Sequence, residues 1–396
     1  MAKLGRKYQG SHPWLTFRVD LTHAGARVWM MLGEARSKVD HLSLSLLKPE
    51  TAAEMLLVYL TKGAQATAAI EGNTLTEDEV AAIVEGRAPT PRRSREYLHR
   101  EVENIVAAFN EITGDLMTGA EAALTPVDVL RFNGRVLNGL DEPDVTPGQI
   151  RTKSVVVGSY QGAPAEDCEY LVERLCEWMD GPDFDPVDAD WKVPLALVKA
   201  VVAHLYVAWI HPFDNGNGRT ARLIELQILL AAGVPAPAAH LLSNHYNATR
   251  DEYYRQLAEA SRSGGDVVPF LRYAVQGFVD GLRAQLERVW DQQYADRWEQ
   301  FIYETFGGPV TSAADLRRLE LAKRLSEPSE PVARRDIPGL SVALGVAYHT
   351  SARTLNRDLN VLVEMGLIES TGRGLWRARR EQILAFRPLR RGHSEQ

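Results

Sequence analysis

Apolar residues recur at three- and four-residue intervals along most of the chain, which is the pattern of amphipathic helices packed around a core. The segments with this spacing are residues 51–70, 93–112, 125–138, 167–179, 193–210, 218–232, 248–262 and 266–290. The first ends before Gly72 and Asn73, residues typical of helix C-termini. Thr76 with Glu79 then predicts a capping box at the start of another helix. The sequence therefore predicts a mainly α-helical fold.

One segment departs from this helical spacing. Residues 149–158 are rich in β-branched side chains and lie between Pro147-Gly148 and Gly162. Such a run between turn residues predicts a short β-hairpin. A single strand pair on a helical body is too small to form a large sheet, which favours a local functional role.

The last part of the chain has its own order of elements. From residue 312 it reads as a helix and a loop, then a short helix near 341–347 and a longer helix at 350–365. A strand starting at 366–369, a turn at 371–374 and a return strand at 375–378 follow. Helices followed by a two-stranded ribbon resemble a winged helix-turn-helix. We therefore expect a C-terminal domain of that kind.

Length supports a division into parts. At about 150 residues per domain, 396 residues predict two or three domains. The predicted parts are an N-terminal helical region, a helical core with the hairpin, and the C-terminal domain, at residues 1–115, 116–295 and 296–396.

The chain is acidic overall, and only its C-terminal end is basic. The formal net charge is −7, which excludes a protein that coats nucleic acid by bulk positive charge. Residues 371–396 nevertheless carry a net charge of +5, against −12 for residues 1–370. The acidic body with a basic end requires a local explanation, such as a patch that binds phosphates.

Nothing in the sequence indicates secretion or a membrane. Two cysteines, Cys168 and Cys176, are too few for a disulfide framework. Residues 1–14 contain no apolar run of the signal-peptide kind. The longest apolar stretch, residues 195–210, is interrupted by Lys199 and His204 and is too short and too polar for a span. We expect a cytoplasmic protein without a membrane segment.

The chemistry concentrates in residues 211–222, HPFDNGNGRTAR, between two apolar helices. The run Gly216-Asn217-Gly218 allows neighbouring N–H groups to converge on an anion at a helix N-terminus. Arg219 and Arg222 lie three apart on one helix face and suit a polyphosphate. Asp214 offers an oxygen ligand for Mg²⁺, and His211 can accept a proton near neutral pH. The combination indicates transfer from a nucleotide.

Each of these residues also has a plain structural interpretation. The glycines form a tight turn in that interpretation, His211 is a satisfied core histidine and the arginines are a solvated face. The joint occurrence of base, metal ligand, anion site and two arginines within twelve residues favours the functional interpretation.

At every fixed position, residues 211–222 match HPFxxGNGRxxR, and the segment resembles the signature of Fic (filamentation induced by cAMP) proteins. The resemblance implies a helical core that transfers AMP from ATP to a hydroxyl side chain of a protein. It implies that His211 is the general base, that Phe213 anchors the loop and that Asp214 holds Mg²⁺. It assigns the phosphates to Gly216, Asn217, Gly218 and Arg219, and the γ-phosphate to Arg222.

Two further regions carry the resemblance. The predicted hairpin resembles the Fic flap, whose residues here, Ser154, Val155, Val156 and Val157, would clamp a target by adding a strand. Tyr253 and Tyr254 resemble the helix that closes the adenine pocket. Some family members have an asparagine shortly after the tyrosine pair, whereas this chain has Ser261-Arg262-Ser263, so the nucleotide preference is left open.

Residues 67–73, TAAIEGN, resemble the inhibitory motif [ST]xxxE[GN] of the family. A carboxylate at Glu71 would pair with Arg222 and occupy the position of the γ-phosphate. The resemblance therefore predicts auto-inhibition through Glu71. In some relatives the same glutamate supports removal of AMP, and the sequence does not separate the two roles.

The predicted helix 350–365 presents Arg353, Asn356 and Arg357 near one face, and Arg373 lies in the turn after it. Such side chains suit base edges and phosphates. DNA binding, protein contact and a spacer role all remain open, because a fold does not fix a function.

With this resemblance, the sequence predicts an ATP- and Mg²⁺-dependent protein adenylyltransferase that modifies Tyr, Thr or Ser. Relatives often form dimers, and the sequence leaves open whether this chain forms a homodimer. Two alternatives remain. One is a DNA-binding regulator with a Fic core as sensor, and the other is a Fic-fold enzyme that transfers another phosphate-linked group or removes AMP. Gly218, where kinase-like relatives have a lysine, disfavours phosphate transfer.

Overall fold

The helical periodicity of the sequence predicts the architecture of the chain well. A computed structural model describes residues 5–119, 123–140, 143–158, 160–349 and 351–384, and this part of the chain is mainly helical with two small antiparallel sheets. It divides into two units, residues 1–289 and 290–396. The boundaries predicted at residues 115 and 295 stay predictions.

The first unit contains twelve helices within its described residues, and a thirteenth continues across its last residue. The helices are α1 (Tyr8–Ser11), α2 (Gly25–Ser43), α3 (Pro49–Ile70), α4 (Glu77–Val84), α5 (Glu96–Met117), α6 (Pro126–Val136), α7 (Cys168–Met179), α8 (Ala189–Ile210), α9 (Asn217–Ala231), α10 (Ala236–Ala239), α11 (Leu241–Ala248), α12 (Arg250–Arg262) and α13 (Val268–Thr305). The predicted capping box is confirmed, because Thr76 N donates to Glu79 Oε2 at 2.9 Å while Glu79 N donates to Thr76 Oγ1 at 3.3 Å.

Helices α8 and α9 form the centre of this unit. Nearly every side chain of both helices is buried, including polar ones such as His204, Arg222 and Glu225. Helix α8 begins at Ala189 because Asp188 caps it, and its 22 residues make it longer than the predicted apolar stretch. It is long and apolar enough to cross a membrane, so the prediction that it is too short was wrong. Since 83% of its most apolar window is buried inside the fold, it serves here as a core helix.

The predicted hairpin is present but lies later in the chain. Strands β1 (Val156–Val157) and β2 (Tyr160–Gln161) pair antiparallel. The prediction was wrong for residues 149–155, which form a loop. The physical reason is Arg151, whose buried side chain donates hydrogen bonds to backbone carbonyls and holds the chain in an irregular path. We call residues 151–163 the hairpin segment; it contains the loop from Arg151 onward and both strands.

The second unit combines helices with a three-stranded sheet. Its further elements are α14 (Ala313–Arg324), α15 (Val342–Tyr348), α16 (Ala352–Glu364), β3 (Val332–Ala333), β4 (Ile368–Gly372) and β5 (Leu375–Ala378). The sheet order is β3-β5-β4, and all pairs are antiparallel. Strand β3 was not predicted, because two residues after Pro331 carry no periodic signal. Thr350, the predicted start of α16, and the basic residues beyond position 384 lie outside the described residues.

Asp358 joins the helices of the second unit. Its fully buried carboxylate accepts hydrogen bonds from Arg317 Nε at 2.6 Å, Arg318 Nε at 2.9 Å and Tyr348 Oη at 3.1 Å. Burial alone would raise the pKa of Asp358, but the two arginines lower it overall. The carboxylate therefore stays ionised and ties α14 and α15 to the inner face of α16.

Replacement of this carboxylate is expected to loosen the second unit. Asp358→Ala should lower the free energy of unfolding by about 2 kcal/mol, because hydrogen bonds to charged groups are lost while the two arginines, 17–20% exposed, can still reach water. Since the folded pKa of Asp358 is lowered, its contribution is present at neutral pH and declines as the pH falls below about 4. Hydrogen exchange of α16 at pH 7 measures the effect. Equal exchange in Asp358→Ala and in the exposed control Asp336→Ala would contradict it.

Candidate active site

Residues 211–216 form a tight loop between α8 and α9. His211 ends α8 in a left-handed conformation with φ 50°, and Gly216, with φ 79°, immediately precedes α9. The Asn217 side chain braces the loop, since its Oδ1 accepts from Phe213 N at 3.0 Å and its Nδ2 donates to Phe213 O at 2.8 Å. Phe213 is only 1% exposed, as its predicted anchoring role requires. Because its side chain is already engaged, Asn217 offers only its backbone N–H to a phosphate.

His211 lies half-buried at the end of α8. Burial lowers the pKa of His211 to about 4, with the charge of Arg151 acting in the same direction. A ring N–H donates to the backbone carbonyl of Ala208 and opposes this shift, as does the charge of Glu71. The ring is therefore neutral at pH 7, and the nitrogen that is not bonded to Ala208 retains a lone pair for a proton.

Arg222, on the first turns of α9, meets Glu71 at the end of α3. Arg222 Nη2 donates to Glu71 Oε1 at 2.6 Å and to Thr67 O at 3.0 Å. The arginine side chain is 1% exposed and the glutamate side chain 28% exposed. Burial would raise the pKa of Glu71, but Arg222, with Arg219 and Arg250, lowers it overall. The sequence motif around Glu71 and the signature around Arg222 thus meet in an ion pair.

Arg219 belongs to a second buried ion pair that the sequence did not reveal. Its Nη1 donates to Glu101 Oε1 at 2.7 Å, and both side chains are at most 3% exposed. Glu101 Oε2 accepts from Asn73 Nδ2 at 2.8 Å, and Asn73 lies two residues after Glu71. Burial raises the pKa of Glu101 in spite of Arg219. Arg219 is therefore connected to the turn that carries Glu71.

A cavity of about 530 Å³ lies beside these ion pairs, but Arg219 and Arg222 are not among the residues that line it. His211, Gly218 and Glu71 line one part of it, and Tyr253, Tyr254, Leu257, Ala258 and Ser261 of α12 line another. Gly218 is required for the close approach, because a Cβ there would collide with Glu71 Oε1 and lie 3.1 Å from Arg222 Nη1. The volume is in the range of small-molecule sites.

The two tyrosines of α12 hold the walls of this cavity. Tyr254 Oη donates to Ile70 O at 3.1 Å and fastens the end of α3 beside Glu71. Tyr253 Oη bonds His204 Nε2 at 2.8 Å in the core. Ser261, in the stretch that follows the tyrosine pair, donates its hydroxyl to Ala258 O at 2.9 Å. Its oxygen therefore offers only acceptor capacity to a ligand.

Other predicted site residues lie at or outside the edge of the cavity. Val157 lines it, whereas Ser154, Val155 and Val156 do not, and Val156 is 65% exposed. Asp214 is exposed and is not among the lining residues. The described residues contain no cluster of three or more His, Cys, Asp or Glu side chains suited to a metal.

Sequence reasoning missed the residues that support the site from a distance along the chain. Asn133 Nδ2 donates to Asn215 O at 2.9 Å, and its Oδ1 accepts from Gly148 N at 2.9 Å. Arg151 bonds the backbone of His211 at 2.7 Å. Neither residue belongs to a spacing pattern. Their only signal is a polar residue within an apolar helix and an arginine within a β-branched run.

Comparison with known proteins agrees with this geometry. Residues 123–229 match the model of the Fic/DOC family. The chain therefore contains a Fic domain, and the resemblance seen in the sequence is confirmed. The matched region includes α8, the loop that follows it and α9 as far as residue 229.

Curated relatives carry a consistent name. The chain is 30% identical over 267 residues to protein adenylyltransferase fic-1 of Caenorhabditis elegans, a match that covers 65% of this chain and 47% of that protein. It is 31% identical over 208 residues to protein adenylyltransferase Fic of Nematostella vectensis, covering 52% of this chain and 44% of that protein. The chain thus spans less than half the length of these relatives.

Solved structures agree in fold. Residues 134–508 of Fic-1 from C. elegans superpose with a TM-score of 0.53 at 28% identity, covering 66% of this chain and 73% of that one. A Fic family protein from Desulfovibrio desulfuricans G20 superposes with a TM-score of 0.55 at 22% identity, over 91% of this chain and 97% of that one. The second likeness concerns the fold alone.

The Arg219–Glu101 pair is expected to be essential for stability. Glu101→Gln should lower the free energy of unfolding by about 3 kcal/mol, because it leaves the buried guanidinium without a countercharge. Glu103→Gln on the same helix is the matched control, since Glu103 is half-exposed and lies 3.3 Å from Arg100. That change should cost below about 0.5 kcal/mol. Denaturant unfolding measures both, and similar losses in the two variants would contradict the assignment.

Proposed function

We propose that this protein transfers AMP from ATP to a hydroxyl side chain of a target protein. The observation that carries the proposal is that a neutral histidine, His211, and Gly218 at the start of α9 line the same cavity. A base and an anion site in one enclosure are what nucleotidyl transfer requires. The relatives named protein adenylyltransferase support it, although the match covers less than half of their length.

In this mechanism His211 accepts the proton of the target hydroxyl as its oxygen attacks the α-phosphorus. A neutral ring is competent for this step at pH 7, because the pKa of His211 is about 4. The backbone of Gly216, Asn217 and Gly218, together with Arg219, holds phosphate oxygens. Pyrophosphate leaves from the opposite side, where Arg222 binds the γ-phosphate.

Asp214 suits the magnesium ion that accompanies a nucleotide. It is a single exposed carboxylate beside the anion site, and Mg²⁺ takes one or two carboxylates together with phosphates and waters. The donor set therefore fits a metal that arrives with ATP. The ion would neutralise charge on the phosphates.

Glu71 acts as a brake in this proposal. Its carboxylate contacts Arg222 Nη2 at 2.6 Å, which is the group assigned to the γ-phosphate. A phosphate and a carboxylate compete for that nitrogen, so ATP binds unproductively while Glu71 remains. The short distance between the carboxylate and Gly218 supports this competition.

Removal of the brake is expected to activate the enzyme. Glu71→Gly should increase transfer of label from α-³²P-ATP to itself and to lysate proteins by at least about tenfold, because Arg222 becomes free for the γ-phosphate. The measurement is autoradiography with Mg²⁺ present.

Two controls decide the origin of the label. The double variant Glu71→Gly/His211→Ala should lose it, and Glu54→Gly, an exposed change on the same helix α3, should label like the unchanged protein. Equal labelling by the unchanged protein and by Glu71→Gly would reject the brake. Labelling that survives His211→Ala would reject the mechanism.

For the second unit we propose a winged helix-turn-helix that binds duplex DNA. On α16 the exposed residues Arg353, Asn356 and Arg357 face away from the buried Asp358, as a recognition helix requires. Arg373, in the turn between β4 and β5, is also exposed. Protein contact through the same face is the alternative outcome. Dimer formation and a cytoplasmic location stay part of the proposal, the latter consistent with two free cysteines.

Loss of the two arginines is expected to weaken DNA binding. Arg353→Ala/Arg357→Ala should lower the affinity of the full chain for duplex DNA about tenfold or more and reduce its salt dependence, because phosphate contacts disappear. Electrophoretic shifts at several salt concentrations measure this. Arg297→Ala, a half-exposed change in the same unit, is the control. No shift by the unchanged protein at low salt would remove the proposal.

A further inference from the structure

Arg151 is a buried arginine whose guanidinium donates hydrogen bonds to four backbone carbonyls. It is 2% exposed. Its Nε donates to His211 O at 2.7 Å and its Nη1 to Lys153 O at 2.6 Å, while Nη2 contacts Ala163 O and, at 3.4 Å, Ile210 O. One side chain thus joins both ends of the hairpin segment to the last residues of α8.

The hairpin segment donates hydrogen bonds to the backbone carbonyls at the end of α8. Tyr160 Oη donates to Trp209 O at 2.9 Å, and Arg151 N donates to Pro212 O at 3.0 Å. With the two guanidinium contacts, these bonds occupy the four consecutive carbonyls of residues 209–212. Helix ends leave such carbonyls without helical partners, so this segment completes the C-terminus of α8.

Close packing accompanies these bonds. A Cβ at Gly162 would lie 3.0 Å from His211 Cβ and 3.1 Å from Arg151 Nη2. Gly162 N also donates to Val155 O at 3.1 Å across the base of the hairpin. The absent side chain at Gly162 therefore allows the hairpin segment to lie directly against the histidine.

Electrostatics give the same arginine a second effect. The C-terminus of a helix is its negative end, where a protonated histidine is stabilised. Arg151 places a positive charge there instead and lowers the pKa of His211. Glu71 from α3 acts in the opposite direction. The other titratable groups around the cavity are Tyr160, His204, Tyr253 and Tyr254.

We propose that Arg151 is a positioning residue that fixes the backbone of His211 to the hairpin segment and places a positive charge against the carbonyl end of α8. In a transferase that presents its target along the hairpin, this bond network sets the distance from the target hydroxyl to the base. The catalytic consequence rests on the function proposed above, whereas the protonation of His211 does not.

Histidine NMR tests the protonation directly. In protein labelled with ¹³C-histidine, the signal of His211 is the one that disappears in His211→Ala. For the unchanged protein this signal keeps its neutral position from pH 8 to pH 5. Arg151→Met should raise the pKa of His211, so that the signal begins to move within this range. Arg174→Met, a half-exposed change on α7, should leave it unmoved.

A second variant keeps the test decisive where Arg151→Met does not fold. Arg151→Lys retains the charge but cannot bond all four carbonyls that the guanidinium contacts, those of Lys153, Ala163, Ile210 and His211. The His211 signal should therefore keep its neutral position down to pH 5. In a Glu71→Gly background the same change should lower kcat about 100-fold with little effect on the KM for ATP, since the base is displaced. An unmoved signal in a folded Arg151→Met protein, or an unchanged kcat in Arg151→Lys, overturns the proposal. Absence of labelling by Glu71→Gly itself instead rejects the proposed function.

Discussion

A buried guanidinium at Arg222 is the constraint on which the rest of the site depends. It lies on α9 among side chains that are nearly all buried, and a charge in such a place requires a countercharge. Glu71 supplies it through Nη2 alone, while Nε and Nη1 have no hydrogen-bond partner among the described residues. Buried unsatisfied donors are costly and therefore indicate a missing acceptor. Glu71 is thus the internal anion that pairs with this buried guanidinium.

The surrounding charges keep this arrangement in place. Arg219 is neutralised by Glu101, which also holds Asn73 in the turn after Glu71. Tyr254 fastens the last residue of α3 from the other side of the cavity. The position of Glu71 is therefore set by two independent contacts beyond its own ion pair.

Local patterns in the sequence predicted where the candidate site lies, because the loop between α8 and α9 carries its own determinants. Asn217 braces Phe213 within four residues, and Gly216 provides the required backbone angle, so a short motif suffices there. The Glu71–Arg222 pair was also predictable, since both partners lie in recognisable motifs. Partners far along the chain were not. Glu101 and Arg151 act through tertiary contacts that leave no periodicity, and the hairpin was misplaced because Arg151 holds residues 149–155 out of a strand.

The central claim is that Glu71 occupies the place of the terminal phosphate. Calorimetric titration of the unchanged protein and of Glu71→Gly with ATP and with ADP, in the presence of Mg²⁺, tests it most directly. The account predicts that the change tightens binding of ATP by about tenfold, or about 1.4 kcal/mol, with a much smaller effect on ADP. Equal tightening of both nucleotides, or of neither, would contradict it.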